Sequence, residues 1–163
     1  MKLILFRHAE KKNDGTINPP LTAQGQQQAQ KLIAEVTQKK IPRPQILMVS
    51  PRLRSQQTFS PLAENLKLKV TVSPLLDERT AKETREDFRR RIQELLALLQ
   101  MDYPNDECVF LCTHHDWIHE FLTVVECSTD LLQPQFHHWN TCQWMWLNKS
   151  EVWDLMKFDF VRP

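Results

Sequence analysis

Lys2-Leu3-Ile4-Leu5-Phe6 runs straight into Arg7-His8-Ala9-Glu10. The apolar run is continuous rather than alternating. That is the pattern of a strand buried on both faces, as in parallel sheets covered by helices above and below. Its far end delivers an arginine and a histidine to a strand's carboxyl end, where open α/β sheets bind their ligands. A guanidinium forks onto phosphate oxygens, and a neutral imidazole can attack phosphorus. Two further apolar runs end in the same manner. Ile46-Leu47-Met48-Val49 stops at Ser50-Pro51 with Arg54 just beyond, and Val109-Phe110-Leu111-Cys112 stops at Thr113-His114-His115-Asp116.

Helical patterns lie between these strands. Thr22 is the expected N-cap of a helix reaching about residue 38, with Ala29, Leu32, Ile33 and Val36 inward and the intervening glutamines facing water. Residues 52–65 read as a second helix with Leu53, Phe59, Leu62, Ala63 and Leu66 toward the core, kinked or broken at Pro61. Leu68, Val70 and Val72 alternate with Lys67, Lys69 and Thr71, an edge strand with one wet face. Residues 73–83 form a polar loop carrying Asp77, Glu78 and Arg79. Thr84 with Asp87 resembles a capping box that opens a helix to about residue 101, its stripe being Phe88, Ile92, Leu95, Leu96 and Leu99. Asp116 is expected to cap a short helix with Trp117, Phe121, Leu122 and Val125 inward. Residues 142–147 and 152–160 are aromatic-rich strands, antiparallel at an edge, with a turn near Asn148-Lys149-Ser150. The order predicts an α/β protein: a three-layer α/β/α sandwich with a mostly parallel central sheet, in a single domain over residues 1–163.

Composition narrows the function classes. The 163 residues carry 21 basic and 20 acidic side chains, a net charge of +1, which gives no polyelectrolyte surface for nucleic acid or anionic membrane. No apolar stretch approaches the roughly 20 residues that span a bilayer, and charge follows Phe6 too soon for a signal peptide. Cys108, Cys112, Cys127 and Cys142 form no CxxC pair and read as free thiols of a reducing, cytoplasmic setting. Gly15 and Gly25 are the only glycines, so no glycine-rich nucleotide loop exists.

Two imidazoles, His8 and His114, and two guanidiniums, Arg7 and Arg54, are thus expected around one phosphoryl group. One histidine would attack phosphorus while the other steadies the transferring oxygens. Hydrolysis also needs a proton for the leaving oxygen and then a base for water. Asp77 and Glu78 are the candidates on the loop, with a solvated acidic pair as the alternative.

The set of motifs resembles the histidine phosphatase superfamily, which includes the cofactor-dependent phosphoglycerate mutases. The opening Arg-His-Gly-Glu motif stands here as Arg7-His8-Ala9-Glu10. The helix signature appears as Leu21-Thr22-Ala23-Gln24-Gly25 with Gln28-Ala29. Ser50, Pro51, Arg54, Gln57 and Thr58 match the Ser-Pro-x-x-Arg-x-x-Gln-Thr motif. Leu76-Asp77-Glu78-Arg79 matches the acidic loop, and Thr113-His114 the final motif, with His115 where glycine is usual. The matches run in order along nearly the whole chain. The resemblance implies a phosphoglycerate mutase-like fold, His8 as nucleophile, a phosphate pocket of Arg7, Arg54 and His114, and Glu78 as proton donor. It implies neither metal nor other cofactor. Asn13 and His115 are further pocket candidates. An asparagine is usual six residues after the nucleophile; here Asp14 stands at that position and Asn13 one step earlier. The chain lacks the insertions that form the mutases' cap, which favours hydrolysis over mutase-type transfer.

Competing readings remain. His115 and His119 are spaced i,i+4 and with Asp116 or Cys112 outline a metal centre, although no strict ligand spacing supports it. His137-His138-Trp139 reads as a surface loop near the pocket mouth. Ala9 and His115 leave room for a binding module without turnover. Trp144 and Trp146 share a strand face and make the C-terminal edge a candidate homodimer surface. The expected partner is a phosphorylated small molecule or a phosphorylated protein side chain. Compactness favours the protein side chain, and Glu78 favours an ordinary phosphomonoester with a poor leaving group.

Overall fold

The structure, a computed structural model, describes residues 1–161. Its centre is a six-stranded sheet in the order β3-β2-β4-β1-β5-β6. The strands are β1 (Lys2–Arg7), β2 (Ile46–Val49), β3 (Val70–Val72), β4 (Cys108–Thr113), β5 (Gln143–Lys149) and β6 (Trp153–Phe160). β1 pairs with β4, β4 with β2 and β2 with β3, all parallel, whereas β5 and β6 are added antiparallel beyond β1.

Four helices cover the sheet: α1 (Ala23–Thr37), α2 (Leu53–Leu66), α3 (Arg85–Asp102) and α4 (His115–Val124). Successive side chains of a strand point to opposite faces. Leu3 and Leu5 of β1 therefore join Phe88, Ile92, Leu95 and Leu99 of α3 and Trp117 and Phe121 of α4 in one core. Ile4 and Phe6 join Ala29, Leu32 and Val36 of α1 and Phe59 and Leu62 of α2 in the other. The result is the expected three-layer α/β/α sandwich, with a mixed, mostly parallel sheet.

Thr22 caps α1, its side chain accepting from the Gly25 amide, and Thr84 caps α3 by accepting from the Asp87 amide. Four expectations need correction. Pro61 does not break α2, which runs through it to Leu66. Phe59, Leu62 and Ala63 bury on either side of the proline, and their packing outweighs the lost backbone bond. Asp116 is not the cap of α4; His114 holds that position without a side-chain cap bond. The Asp116 carboxylate instead accepts from the Trp117 and Arg79 amides, at 2.8 Å each. Gln28 does not face water: its Oε1 accepts from the Glu10 amide at 2.9 Å and its Nε2 donates to Thr141 Oγ1 at 3.1 Å. Finally, the Trp144 face is covered by the chain itself, since Trp144 is buried in the core with α1 and Trp146 is half-buried against it.

Candidate active site

The carboxyl ends of β1, β4 and β2 lie side by side, and the chain continues the ladder one step past each strand. The His8 amide donates to Thr113 O at 3.0 Å and the Ser50 amide to Cys112 O at 3.1 Å. These bonds bring His8, His114 and Ser50 to a common edge. The two histidine rings stand 5.3 Å apart between centroids. Arg54 arrives from the first turn of α2, and Glu78 from the loop after a short 3-10 turn at Pro74–Leu76.

The His8 ring is fixed by its own backbone. Its Nδ1 lies 2.7 Å from the Ala9 carbonyl, which can only accept, so Nδ1 carries the proton and Nε2 keeps its lone pair. His8 is 4% exposed. Burial drives its pKa down to about 3; the charges of Arg54, Arg7 and Lys11 add to this, and the Ala9 carbonyl opposes it. The imidazole is neutral at any physiological pH.

His114 is set by a different partner. Its Nε2 lies 2.7 Å from Ser50 Oγ, which in turn donates to Ser55 Oγ at 2.9 Å. Its Nδ1 faces Arg54 Nη2 at 3.3 Å and Glu78 Oε1 at 3.5 Å. An arginine can only donate, so Nδ1 accepts and Nε2–H points at Ser50. Burial, followed by the facing His8 and the Arg54 and Arg52 charges, lowers the His114 pKa to about 2.

Both guanidiniums are held with a donor to spare. Arg7 Nη1 donates to the Trp139 carbonyl, and Arg54 Nη2 to Glu78 Oε1. The buried Nε of each has no hydrogen-bond partner among the described residues. Buried N–H donors left unpaired are costly and mark a place where an acceptor belongs. Arg54 is 2% exposed. Glu78 also lies 3.7 Å from Arg52 Nε, which is paired at 2.7 Å with Asp77 Oδ1.

The two departures from glycine carry no backbone strain. Ala9 and His115 are not among the described residues with positive φ, which apart from Gly15 are Lys39, Lys67 and Cys142. Ala9 is buried, and its amide donates to Thr58 Oγ1 at 2.9 Å. His115 sits exposed at the rim, its ring 4.2 Å from that of His119, and Arg7 is near enough to lower its pKa after burial and His119. Asn13 lies exposed in the 9–21 loop, and no side-chain hydrogen bond ties it to the site among the described residues. His137 and His138 are exposed as expected, but Trp139 is buried, and its carbonyl rather than its ring serves the site. Among the described residues no group of three or more His, Cys, Asp or Glu is arranged to hold a metal ion.

Sequence reading gave no role to Ser50, Ser55 or Thr58, although Ser50 and Thr58 stand inside a quoted motif. It also passed over Arg91. That residue lies on the apolar stripe of α3, between Phe88 and Leu95, and a charge on such a stripe signals a buried partner.

Residues 3–82 match the family model of the histidine phosphatase superfamily (branch 1). No curated protein matches the chain. Among solved structures, an Escherichia coli protein assigned as an α-ribazole-5′-P phosphatase is 18% identical, with 98% of this chain and 96% of that chain covered and a TM-score of 0.78. A mycobacterial glucosyl-3-phosphoglycerate phosphatase in complex with VO3 is 20% identical, with 98% and 99% covered and a TM-score of 0.75. The protein histidine phosphatase SixA, complexed with tungstate, is 17% identical, with 98% and 97% covered and a TM-score of 0.74. At these identities the likeness is one of fold. The segment matched by the family model runs from β1 through the Glu78 loop and contains Arg7, His8, Arg54 and Glu78, so over these residues the chain is similar to the histidine phosphatase superfamily.

Proposed function

We propose that this chain, as a single domain over residues 1–163, is a metal-independent phosphatase that hydrolyses phosphomonoesters through a covalent phosphohistidine on His8. The observation that carries the reading is the locked His8 ring beside two guanidiniums with unpaired buried donors. A neutral imidazole with Nε2 free is a nucleophile without further activation. The spare N–H groups of Arg7 and Arg54 suit the oxygens of a phosphoryl group.

The reaction runs in two displacements. The phosphoryl group takes the place of the Glu78 carboxylate on Arg54, and Arg52 remains beside Glu78. His8 Nε2 forms a bond to phosphorus as the ester oxygen departs with the bonding pair. Glu78, in its acid form, gives that oxygen its proton, and the alcohol leaves. Water then attacks the phosphohistidine, Glu78 takes a proton from it, and the N–P bond returns its pair to His8. Arg7 and Arg54 donate to the transferring oxygens throughout, and His114 joins them only when its Nδ1 carries a proton. Ester and water go in; alcohol and phosphate come out.

The substrate class we favour is a phosphomonoester of a small molecule, because a carboxyl group placed for proton transfer matters most for poor leaving groups. The free thiols accord with a cytoplasmic setting. The test is phosphate release by purified protein, without added metal, from phosphomonoesters and from a phosphohistidine peptide, beside His8→Ala. Release that vanishes in His8→Ala is the expected result. Preference for the peptide would move the substrate to a protein side chain. Phosphate binding without release from any substrate would overturn the enzyme reading and leave a binding module.

A further inference from the structure

Glu78 sits on a loop with little regular structure of its own, yet its carboxylate is aimed at Arg54 and His114. Besides Thr113 on Leu76 O, Trp117 on Leu75 O and Asp116 on the Arg79 amide, one side chain binds the loop backbone at several points. Arg91, on the second turn of α3, is 16% exposed along its side chain. Its Nη1 donates to the backbone carbonyls of Pro74, Leu75 and Asp77 at 3.2, 3.1 and 2.9 Å. Its Nη2 donates to the carbonyl of Glu78 itself at 3.2 Å and to Glu83 Oε2 at 2.9 Å, while Nε donates to Glu83 Oε1 at 2.8 Å. The guanidinium lies over the Phe88 ring, 4.8 Å from its centroid. Arg91 in turn holds the Glu83 carboxyl below its ordinary pKa.

We infer that Arg91 is the positioning residue for Glu78: one guanidinium fixes the loop on both sides of the carboxyl group that serves the leaving oxygen. The inference rests on the proton-donor reading of Glu78 given above. Two further facts support it. The loop's internal backbone bonds, Leu76 N to Ser73 O and Asp77 N to Pro74 O in the short 3-10 turn and Glu83 N to Thr80 O beyond it, all at 3.1 Å, do not engage the Asp77 and Glu78 carbonyls. Arg91 holds both. The fork is also specific to arginine, because lysine has one nitrogen and cannot span Pro74 to Glu83. A carboxyl group displaced by about 1 Å loses much of its effect on a reaction that depends on orientation.

A positioning role has a signature that a purely structural one lacks, because proton donation matters only when the leaving group is poor. The experiment measures kcat and KM for an alkyl phosphate and for p-nitrophenyl phosphate in Arg91→Gln, Arg91→Lys, Glu78→Gln and the double variant Arg91→Gln/Glu78→Gln. Thermal unfolding checks that each is folded. General acids contribute about 10²-fold or more, so Glu78→Gln should cut alkyl phosphate kcat by roughly that factor, with the nitrophenyl ester far less affected. Arg91→Gln should show the same bias at about tenfold or more, with KM little changed, and add nothing in the double variant. If Arg91→Gln does not fold, Arg91→Lys is read for the same bias. Equal loss on both substrates, no loss, or full additivity with Glu78→Gln would overturn the positioning role. A Glu78→Gln variant that retains alkyl phosphate turnover overturns the proton-donor reading itself, whatever Arg91 does.

Discussion

Ser50 stands behind His114 and receives its Nε2–H, so the hydroxyl fixes the ring's tautomer and leaves Nδ1 facing Arg54 and Glu78. Ser50→Ala should lower kcat by about tenfold, the cost of one lost orienting bond of roughly 1.4 kcal/mol, and Ser50→Thr should restore most of it. Steady-state rates on a single ester check both. Arg54 is the other residue without a substitute. Its planar fork meets Glu78 and His114 and keeps Nε in reserve, whereas a lysine ammonium is a single point. Arg54→Lys should therefore reduce kcat/KM by about a hundredfold, measured at substrate concentrations well below KM. At this scale the sequence was most informative where residues sit at strand ends. Arg7, His8 and His114 were legible there, Arg54 just inside the following helix, and Glu78 only as one of an acidic pair on a loop; the structure sets His8, Arg54, Glu78 and His114 side by side. For Asn13 the sequence was least informative, because a loop position has no period to fix its direction. Arg91 was missed although its place on an apolar stripe was visible.

The first turn of α1 shows why one glycine matters to the site. A Cβ on Gly25 would lie 2.0 Å from the Glu10 carbonyl oxygen, a backbone atom that cannot step aside. That carbonyl also accepts from the Thr22 amide at 2.9 Å, so helix and loop meet at the residue two places beyond His8. Gly25→Ala should cost about 3 kcal/mol in urea unfolding, from overpacking against backbone, and should depress activity in the fraction that folds. Elements were read from the sequence with few errors because their buried stripes are periodic: all five stripe residues foreseen for α3 are buried. The errors share a cause. Pro61 and Asp116 were judged by local preference, and tertiary partners decided otherwise: Phe59 and Leu62 for the helix, the Arg79 amide for the aspartate. Gln28 was assigned to water because a polar residue between stripe positions gives no hint that a loop will fold over it.

The whole molecule stores a dependence on acidity in its two buried imidazoles. Unfolded, each titrates near 6.5; folded, His8 titrates at about 3 and His114 at about 2. Below pH 6.5 the unfolded chain therefore binds protons that the folded chain refuses. Stability is full above 6.5 and is lost as the pH falls toward the folded values. Between pH 7 and 5 the pair should account for a loss of up to about 4 kcal/mol, read from urea midpoints, and His8→Asn should remove about half of the slope. The sheet that buries these rings also determines how each part of the site can change through time. The partner of His8 Nδ1 is a peptide carbonyl, and a peptide carbonyl survives every codon change at its position. The nucleophile's orientation is thus hereditary in the fold rather than in any one side chain. The Glu78 backbone hangs from a guanidinium on α3, which a single base change in one codon can erase. A lineage built on this chain can abandon or reinvent its handling of the departing alcohol while keeping its attack on phosphorus intact.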